Sequence, residues 1–303
     1  MRNASWYLYL FVMVFAPVAL GAAHIWARLV VEAAVFVAFI VLLIDSLYHK
    51  RPLYKVPAFW LLGGFVLWIG LQLVPLPASL LSLFFPATHQ VWEVVYGPEE
   101  SGFWAPLSLK PLFTLQELLR WAAFSAFYYL SVQLLADRNR MRDSLTVVMV
   151  VAGLIAFVGI IQSFAGNGLI YWLFDPGPNL FFGPFRYRNH FAGFAAMLLP
   201  VAMVLFLYYR PHAGFQLPLR EKIVYLLSQL KLSPALRYGL VAVTLFAAIL
   251  LSQSRTGISV AVVTTGAMLV FCRKLLHLNR SSPALLAILV VFALLFVGRT
   301  GLD

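Results

Sequence analysis

Charge is scarce in this 303-residue chain: Asp, Glu, Lys and Arg make up 11% of it, against 62% hydrophobic residues. So small a polar complement cannot cover a water-soluble globule of this size. Cys272 is the only cysteine, which excludes an intrachain disulfide and leaves the redox compartment open. Set among apolar residues, it reads as a buried bystander. No Asp-x-Asp pair occurs, and the adjacent Glu99 and Glu100 lack metal-ligand spacing and read as solvated loop charge. A long basic stripe is missing too. The 22 Lys and Arg residues give a net charge of +11, but they stand in short groups between apolar runs, so no nucleic-acid partner is expected. No soluble domain, low-complexity tract or obvious repeat breaks this pattern.

What is present is a mean hydropathy of +0.89, carried by apolar runs of the roughly 20 residues that a bilayer core ~30 Å thick requires. The expected fold is all-α: a polytopic integral membrane helical bundle, one transmembrane domain over residues 1–303. Hydropathy windows place about nine transmembrane helices, at 6–25, 29–47, 56–74, 115–135, 145–164, 191–209, 238–252, 258–271 and 283–297. The last three are short. The fourth begins as an interfacial stretch, because Glu117 and Arg120 sit one turn apart at its entry. The opening MRNASWYLYLFVMVFAPVALGAAHIW has the basic tip and small residues of a signal peptide. Its apolar stretch is longer than the usual signal core and further spans follow, so it reads as a retained helix.

Basic loops stay on the cytoplasmic side of a membrane. With the N-terminus inside, all but seven of the 22 basic residues fall on the inner face. The seven outer ones are Arg28, Lys110, Arg120, Arg186, Arg188, Arg255 and Arg299. The outer side also holds the longer irregular segments, 75–114 and 165–190. The first is too rich in proline to span, yet its LLSLFF and VWEVV stretches are apolar enough to lie in the membrane interface. Trp92, Trp104 and Trp172 suit a headgroup-level belt. Glu32 lies one turn from Arg28, as a local ion pair would. Asp45 reads as a solvated residue at the end of its span.

Arginine on the outer face opposes the topological bias, and two positions stand out. Arg188, in RYRNHFAG, immediately precedes the sixth span; Arg255, in LLSQSRTGISV, occupies the tip of a hairpin too short to be anything but antiparallel. A guanidinium near hydrocarbon loses hydration, at ~2.5 to 3.5 kcal/mol for a helix centre and less near the interface. A phosphate ligand would offset that loss, since arginine presents a planar fork of donors that matches phosphate oxygens. Each of the two also stands at a helix N-terminus, where unsatisfied amides and the helix dipole favour an anion. Together they form a diphosphate clamp; the plainer alternative is that both snorkel to lipid headgroups.

GPFRYRNHFAG followed by an apolar run containing Pro200, then LLSQSRTGISV, resembles the bacterial O-antigen ligase and polymerase superfamily. Members carry an Asn-Arg-Asn-His-Phe-Ala-like segment opening one helix and Ser-x-Ser-Arg-x-Gly at the next outer hairpin. Here the first reads Tyr187-Arg188-Asn189-His190-Phe191-Ala192, departing from the usual asparagine at Tyr187, and the second, Ser252-Gln253-Ser254-Arg255-Thr256-Gly257, fits throughout. SLKPLFTLQELLRW is similar to the segment leading into the family's fourth helix. The resemblance implies a GT-C-like membrane glycosyltransferase of the bacterial inner membrane, N-terminus cytoplasmic and active face periplasmic. Its donor would be an undecaprenyl-diphosphate-linked glycan, and its acceptor lipid A-core or a growing polysaccharide. Arg188 and Arg255 match the family's two essential arginines, with Arg186, Asn189, His190 and Ser254 as further substrate-binding candidates. No metal and no other cofactor is needed for this inverting chemistry.

Family members continue past the ninth span into a large outer loop, bearing a histidine associated with acceptor activation, and then into further helices. This chain reaches Asp303 just after the ninth span, so the expectation is the N-terminal part of a longer ligase-like protein, inactive alone, with a natural truncation as the alternative. His190 does not substitute for that histidine on motif grounds; it caps the helix, contacts the donor, or is a plain interfacial residue. Two other function classes compete: a lipid-linked oligosaccharide flippase or other transporter, and a non-catalytic membrane assembly subunit.

Overall fold

The computed structural model describes residues 2–97, 102–178, 180–209 and 234–272. Most of them lie in ten α-helices: α1 (Arg2–Val18), α2 (Ile25–Tyr48), α3 (Phe59–Leu71), α4 (Ala78–Phe84), α5 (Pro86–Tyr96), α6 (Pro111–Leu135), α7 (Arg138–Ala165), α8 (Arg188–Tyr209), α9 (Pro234–Leu251) and α10 (Arg255–Phe271). A short antiparallel ribbon pairs β1 (Pro75–Pro77) with β2 (Trp104–Pro106). By length and composition α2, α7, α8 and α9 can cross a membrane, and α3 and α10 are shorter apolar helices. The expected span at 283–297, the basic groups between 210 and 231 and between 273 and 280, Arg299, Glu99 and Glu100 lie outside the described residues.

Proline and glycine decide several boundaries differently from hydropathy. The expected run 6–25 is split: Pro17 occupies the last turn of α1, and Gly21, at φ +64°, turns the chain through a 3-10 segment before α2 begins. The span expected at 56–74 shrinks to the 13 residues of α3, about 20 Å of helix. Left-handed Ala58 (φ +54°) after Pro57 fixes its start, and β1 begins at Pro75. Pro86 and Pro111 stand at the first positions of α5 and α6, where the missing N–H costs nothing.

Asp137 caps α7. Its Oδ1 accepts the N–H groups of Asn139 (2.8 Å) and Arg140 (3.2 Å), which hold its carboxyl below the ordinary Asp range. The cap therefore stabilises the fold above the ordinary carboxylate pKa and is lost as pH falls through the depressed value.

The chain packs as two compact units: Met1–Val12 with Leu29–Met141, and Met13–Arg28 with Arg142–Asp303. In the first, α3 and α6 lie antiparallel, with Gly70 against Leu118, Phe65 on Trp121 (4.7 Å) and Phe59 near Tyr129 (5.3 Å). Buried Gln133 clamps the segment before α3, its amide oxygen taking Tyr54 N–H (2.9 Å) and its amide nitrogen donating to Tyr54 O (2.8 Å). Asp45, expected to be solvated, is buried instead. His49 Nδ1 approaches its carboxylate at 3.2 Å and Arg51 Nη1 at 3.7 Å, because the chain folds back after α2. A carboxylate withdrawn from water needs such partners. The expected proximity of Glu117 and Arg120 is an ion pair of 2.7 Å.

The second unit is built around α8. Ala192, Ala195, Ala196, Leu199 and Ala202 form a buried stripe of mostly small side chains, against which neighbouring helices pack closely. Tyr238 of α9 stacks on Tyr209 at the far end of α8 (5.8 Å), and Gly239 lies against Phe206, so α9 runs antiparallel to α8. At the near end Gly257 of α10 lies against Ala192, and farther along Thr264 Oγ1 donates to Ala196 O (3.3 Å). Thus α10 runs parallel to α8. Thr146 near the start of α7 meets Tyr238 Oη (3.4 Å), while Gly159 near its end receives the Phe182 ring that also packs on Phe191 (4.5 Å). The end of α7, the start of α8, the end of α9 and the start of α10 consequently share one end of this unit.

Candidate functional site

Arg188 and Arg255 are the first residues of α8 and α10. The structure brings these two helix starts together. A methyl group on Gly257 would overlap the Ala192 Cβ, so α10 rests directly on α8 at that point. Arg188 lies four residues before Ala192 and Arg255 two before Gly257, about 6 Å and 3 Å along their helix axes. Both arginines therefore sit at one end of the unit, each within about a turn of the contact.

The segment before α8 is held by aromatic packing. Gly183, at φ +54°, closes a tight turn in which Phe182 and Phe185 exchange backbone hydrogen bonds of 3.2 Å. The Phe182 ring enters α7 at Gly159, where no side chain blocks it. Phe185 packs on Phe194 (5.4 Å) and against Gly21, whose left-handed conformation and missing Cβ leave room for the ring. Arg188 N–H donates to Leu180 O (2.8 Å), and the N–H groups of His190 and Phe191 donate to Tyr187 O (3.0 and 3.3 Å). Arg188 is half-buried, and Asn189 and His190 are exposed. The His190 ring lies beside Tyr187 (5.0 Å).

Two of the expected substrate contacts have structural work. Arg186 donates through Nε to Pro176 O (3.0 Å) and lies against Gly177, whose N–H donates to Asp175 Oδ1 (2.7 Å). It braces the loop that precedes α8. Ser254 is buried, and its Oγ accepts the Gly257 N–H (3.2 Å) as the N-cap of α10. The cap fixes the first turn of α10, which Arg255 opens. Ser254 ahead of an apolar helical run is a cap signal visible in the sequence; the Gly257–Ala192 contact leaves no such local trace.

No family model, curated protein or solved structure matches the chain.

The electrostatics of the site favour an anion. Among the described residues of this unit, Asp143 and Asp175 are the only carboxylates. Asp143 lies in the opening turns of α7, at the opposite end, and Asp175 is engaged by Gly177. Two helix N-termini, each opened by an arginine, thus lie at one end of the unit, with little opposing charge among the described residues. Tyr171, in the same loop, donates its hydroxyl to Val18 O (3.0 Å), and burial pushes the phenol up to about 12. It stays neutral at physiological pH and serves as a tether. Among the described residues no group of three or more His, Cys, Asp or Glu is placed to hold a metal ion.

Proposed function

We propose that this chain carries the donor-diphosphate site of a metal-independent, inverting membrane glycosyltransferase of the O-antigen ligase and polymerase type. The donor is an undecaprenyl-diphosphate-linked glycan, and the acceptor a hydroxyl of lipid A-core or of a growing polysaccharide. One observation carries the reading: Arg188 and Arg255 open two parallel helices that meet at Ala192 and Gly257, within about a turn of both arginines. In the reaction the acceptor oxygen attacks the anomeric carbon from the face opposite the diphosphate. The carbon–oxygen bond to the donor breaks, its electron pair stays on the diphosphate, and the acceptor proton leaves to a general base. Charge grows on the diphosphate as that bond stretches. Guanidinium groups and helix amides already in place stabilise the transition state more than the ground state.

The finer membrane arrangement belongs to the same proposal: about nine crossing helices, a GT-C-like fold, the N-terminus in the cytoplasm and the arginine pair at the periplasmic face of the inner membrane. In its support, Arg138, Arg140 and Arg142 mark the start of α7, whose other end meets the start of α8. A single cysteine at exposed Gln253, in a Cys272→Ser background, is expected to react with a membrane-impermeant maleimide in intact cells. One at Arg142 is expected to react only after lysis. The reverse pattern would overturn the orientation.

The direct test is incubation of the full-length protein with a defined lipid-linked glycan and candidate acceptors, following both the glycosylated product and released undecaprenyl diphosphate. Transfer is expected to survive chelation of divalent metals with less than about a twofold change, because the arginines supply the charge that a metal would otherwise supply. Loss restored by magnesium would reject the metal-independent mechanism.

A further inference from the structure

Helices α4 and α5 and the β1–β2 ribbon form a small module, and every part of it belongs to the first unit. It stands where α3 ends and α6 begins: β1 follows α3, β2 precedes α6, and Ser108 N–H donates to Gln72 O (3.0 Å). Its interior is small. Ala78 and Leu81 of α4 pack with Phe103 and Ala105, the His89 ring stacks on Phe103 (5.4 Å), and Trp92 Nε1 donates to Pro106 O (2.9 Å).

The two helices repeat one pattern. Ala78 and Leu81 in α4 occupy the same relative positions as His89 and Trp92 in α5, and these are the inward faces. Leu80, Leu83 and Phe84 in α4 match Val91, Val94 and Val95 in α5, at i, i+3 and i+4, the spacing that lines one face of a helix. All six are exposed, Leu83 at 71% and Val94 at 85%. Each helix therefore has a second apolar face that the module's own core leaves uncovered.

We infer that this second face lies in the membrane interface, with its side chains among the lipid headgroups and upper acyl chains. Position in the chain selects lipid as the occupant. Helix α3 (FWLLGGFVLWIGL) carries no charged or hydrogen-bonding side chain beyond tryptophan, and Trp60, Leu67 and Trp68 are more than half exposed, so its surroundings are hydrocarbon. The exposed apolar surface continues through Leu71 and Val74 on one side of the module and Leu112 and Phe113 on the other. A short amphipathic element at the point where helices leave the bilayer core rests in the boundary layer, buried by about 5–10 Å. Trp92, expected in an aromatic belt, is instead the internal fastener that lets the apolar stripes face outward. This inference does not depend on the transferase reading.

The test uses the full chain with Cys272→Ser and single cysteines at Leu83 or Val94 in the stripes, or at Ser82 or Glu93 on the polar faces. Each is labelled with an environment-sensitive nitrobenzoxadiazole dye and reconstituted in phosphatidylcholine–phosphatidylglycerol vesicles. Labels at 83 and 94 are expected to be quenched by lipids spin-labelled near the headgroup, less by lipids labelled deep in the chain, and to be shielded from aqueous iodide. Labels at 82 and 93 are expected to be open to iodide. Iodide quenching at 83 and 94 equal to that at 82 and 93 would overturn the inference. So would shielding from both quenchers, the signature of a protein partner or second copy on this face. All four positions are exposed; cysteine at Glu93 removes one ion pair to His89 (3.7 Å) but leaves the His89–Phe103 stack in place.

Discussion

Arg188→Ala and Arg255→Ala, each made in the full-length protein, are expected to lower glycan transfer by at least about 100-fold, the usual consequence of deleting one prepositioned donor to a developing oxyanion. Membrane insertion and yield are expected to be unchanged. Arg188 is half-buried and Arg255 exposed, each at the first position of its helix, and the helix starts are held by other groups: the Phe182–Phe185 turn for α8, the Ser254 cap for α10. Lysine at either position is expected to recover little, because a point charge cannot reproduce the planar fork on phosphate oxygens. The check is initial transfer rate from a defined lipid-linked donor, alongside detergent-extractable protein. Wild-type rates in either alanine variant would remove the arginine clamp from the mechanism; loss of both rate and insertion would make the residue structural.

The second large effect is steric. Gly257→Ala puts a methyl group into the Ala192 Cβ, and a real Cβ there would also crowd Ser254 Oγ at 3.1 Å. The neighbours are helix-borne, so α10 must move away from α8, carrying Arg255 with it. Overpacking of this kind costs about 1–3 kcal/mol of stability, and a displacement near 1 Å at a catalytic group costs about 100-fold in rate. The contact is one methyl meeting another, so Ala192→Gly in the Gly257→Ala background moves the methyl from one helix to the other. It is expected to restore most of the transfer rate and thermal stability. Some deficit remains, since glycine within a helix costs about 0.5–1 kcal/mol and the crowding at Ser254 persists. Gly193→Ala, one position along α8, is the control: among the described residues no neighbouring element comes within 4 Å of its Cβ position, and near wild-type behaviour is expected. If Gly257→Ala is as active and as stable as wild type, the close approach of the two helices does not set the arginine spacing.

Much of the architecture is legible in local sequence. The scarcity of charge and the apolar runs lead to helices suited to a membrane, and α2, α7, α8 and α9 follow the expected spans within a few residues at most boundaries. Hydropathy alone missed the break after Val18 and the short α3, because averaging over a window hides the backbone geometry of Pro17, Gly21 and Ala58. Asp45 was misread for a related reason. Its place at a helix end says nothing of the chain folding back to bring His49 and Arg51 to it.

The sequence by itself determined where the candidate site's parts lie on their own helices. Arg188 and Arg255 open α8 and α10, since helix initiation depends on a few neighbouring residues, whereas Ser254 reads there only as a substrate-binding candidate and the structure adds that it caps α10. Only the tertiary structure decided that those two helix starts meet. Gly257 and Ala192 are distant in the chain, and which helix lies against which depends on small residues matching across segments, a relation that no single stretch of sequence contains. The same division holds for Arg186: its charge and position are plain in the sequence, but its work in bracing the Asp175–Gly177 turn appears only where the loop closes on it.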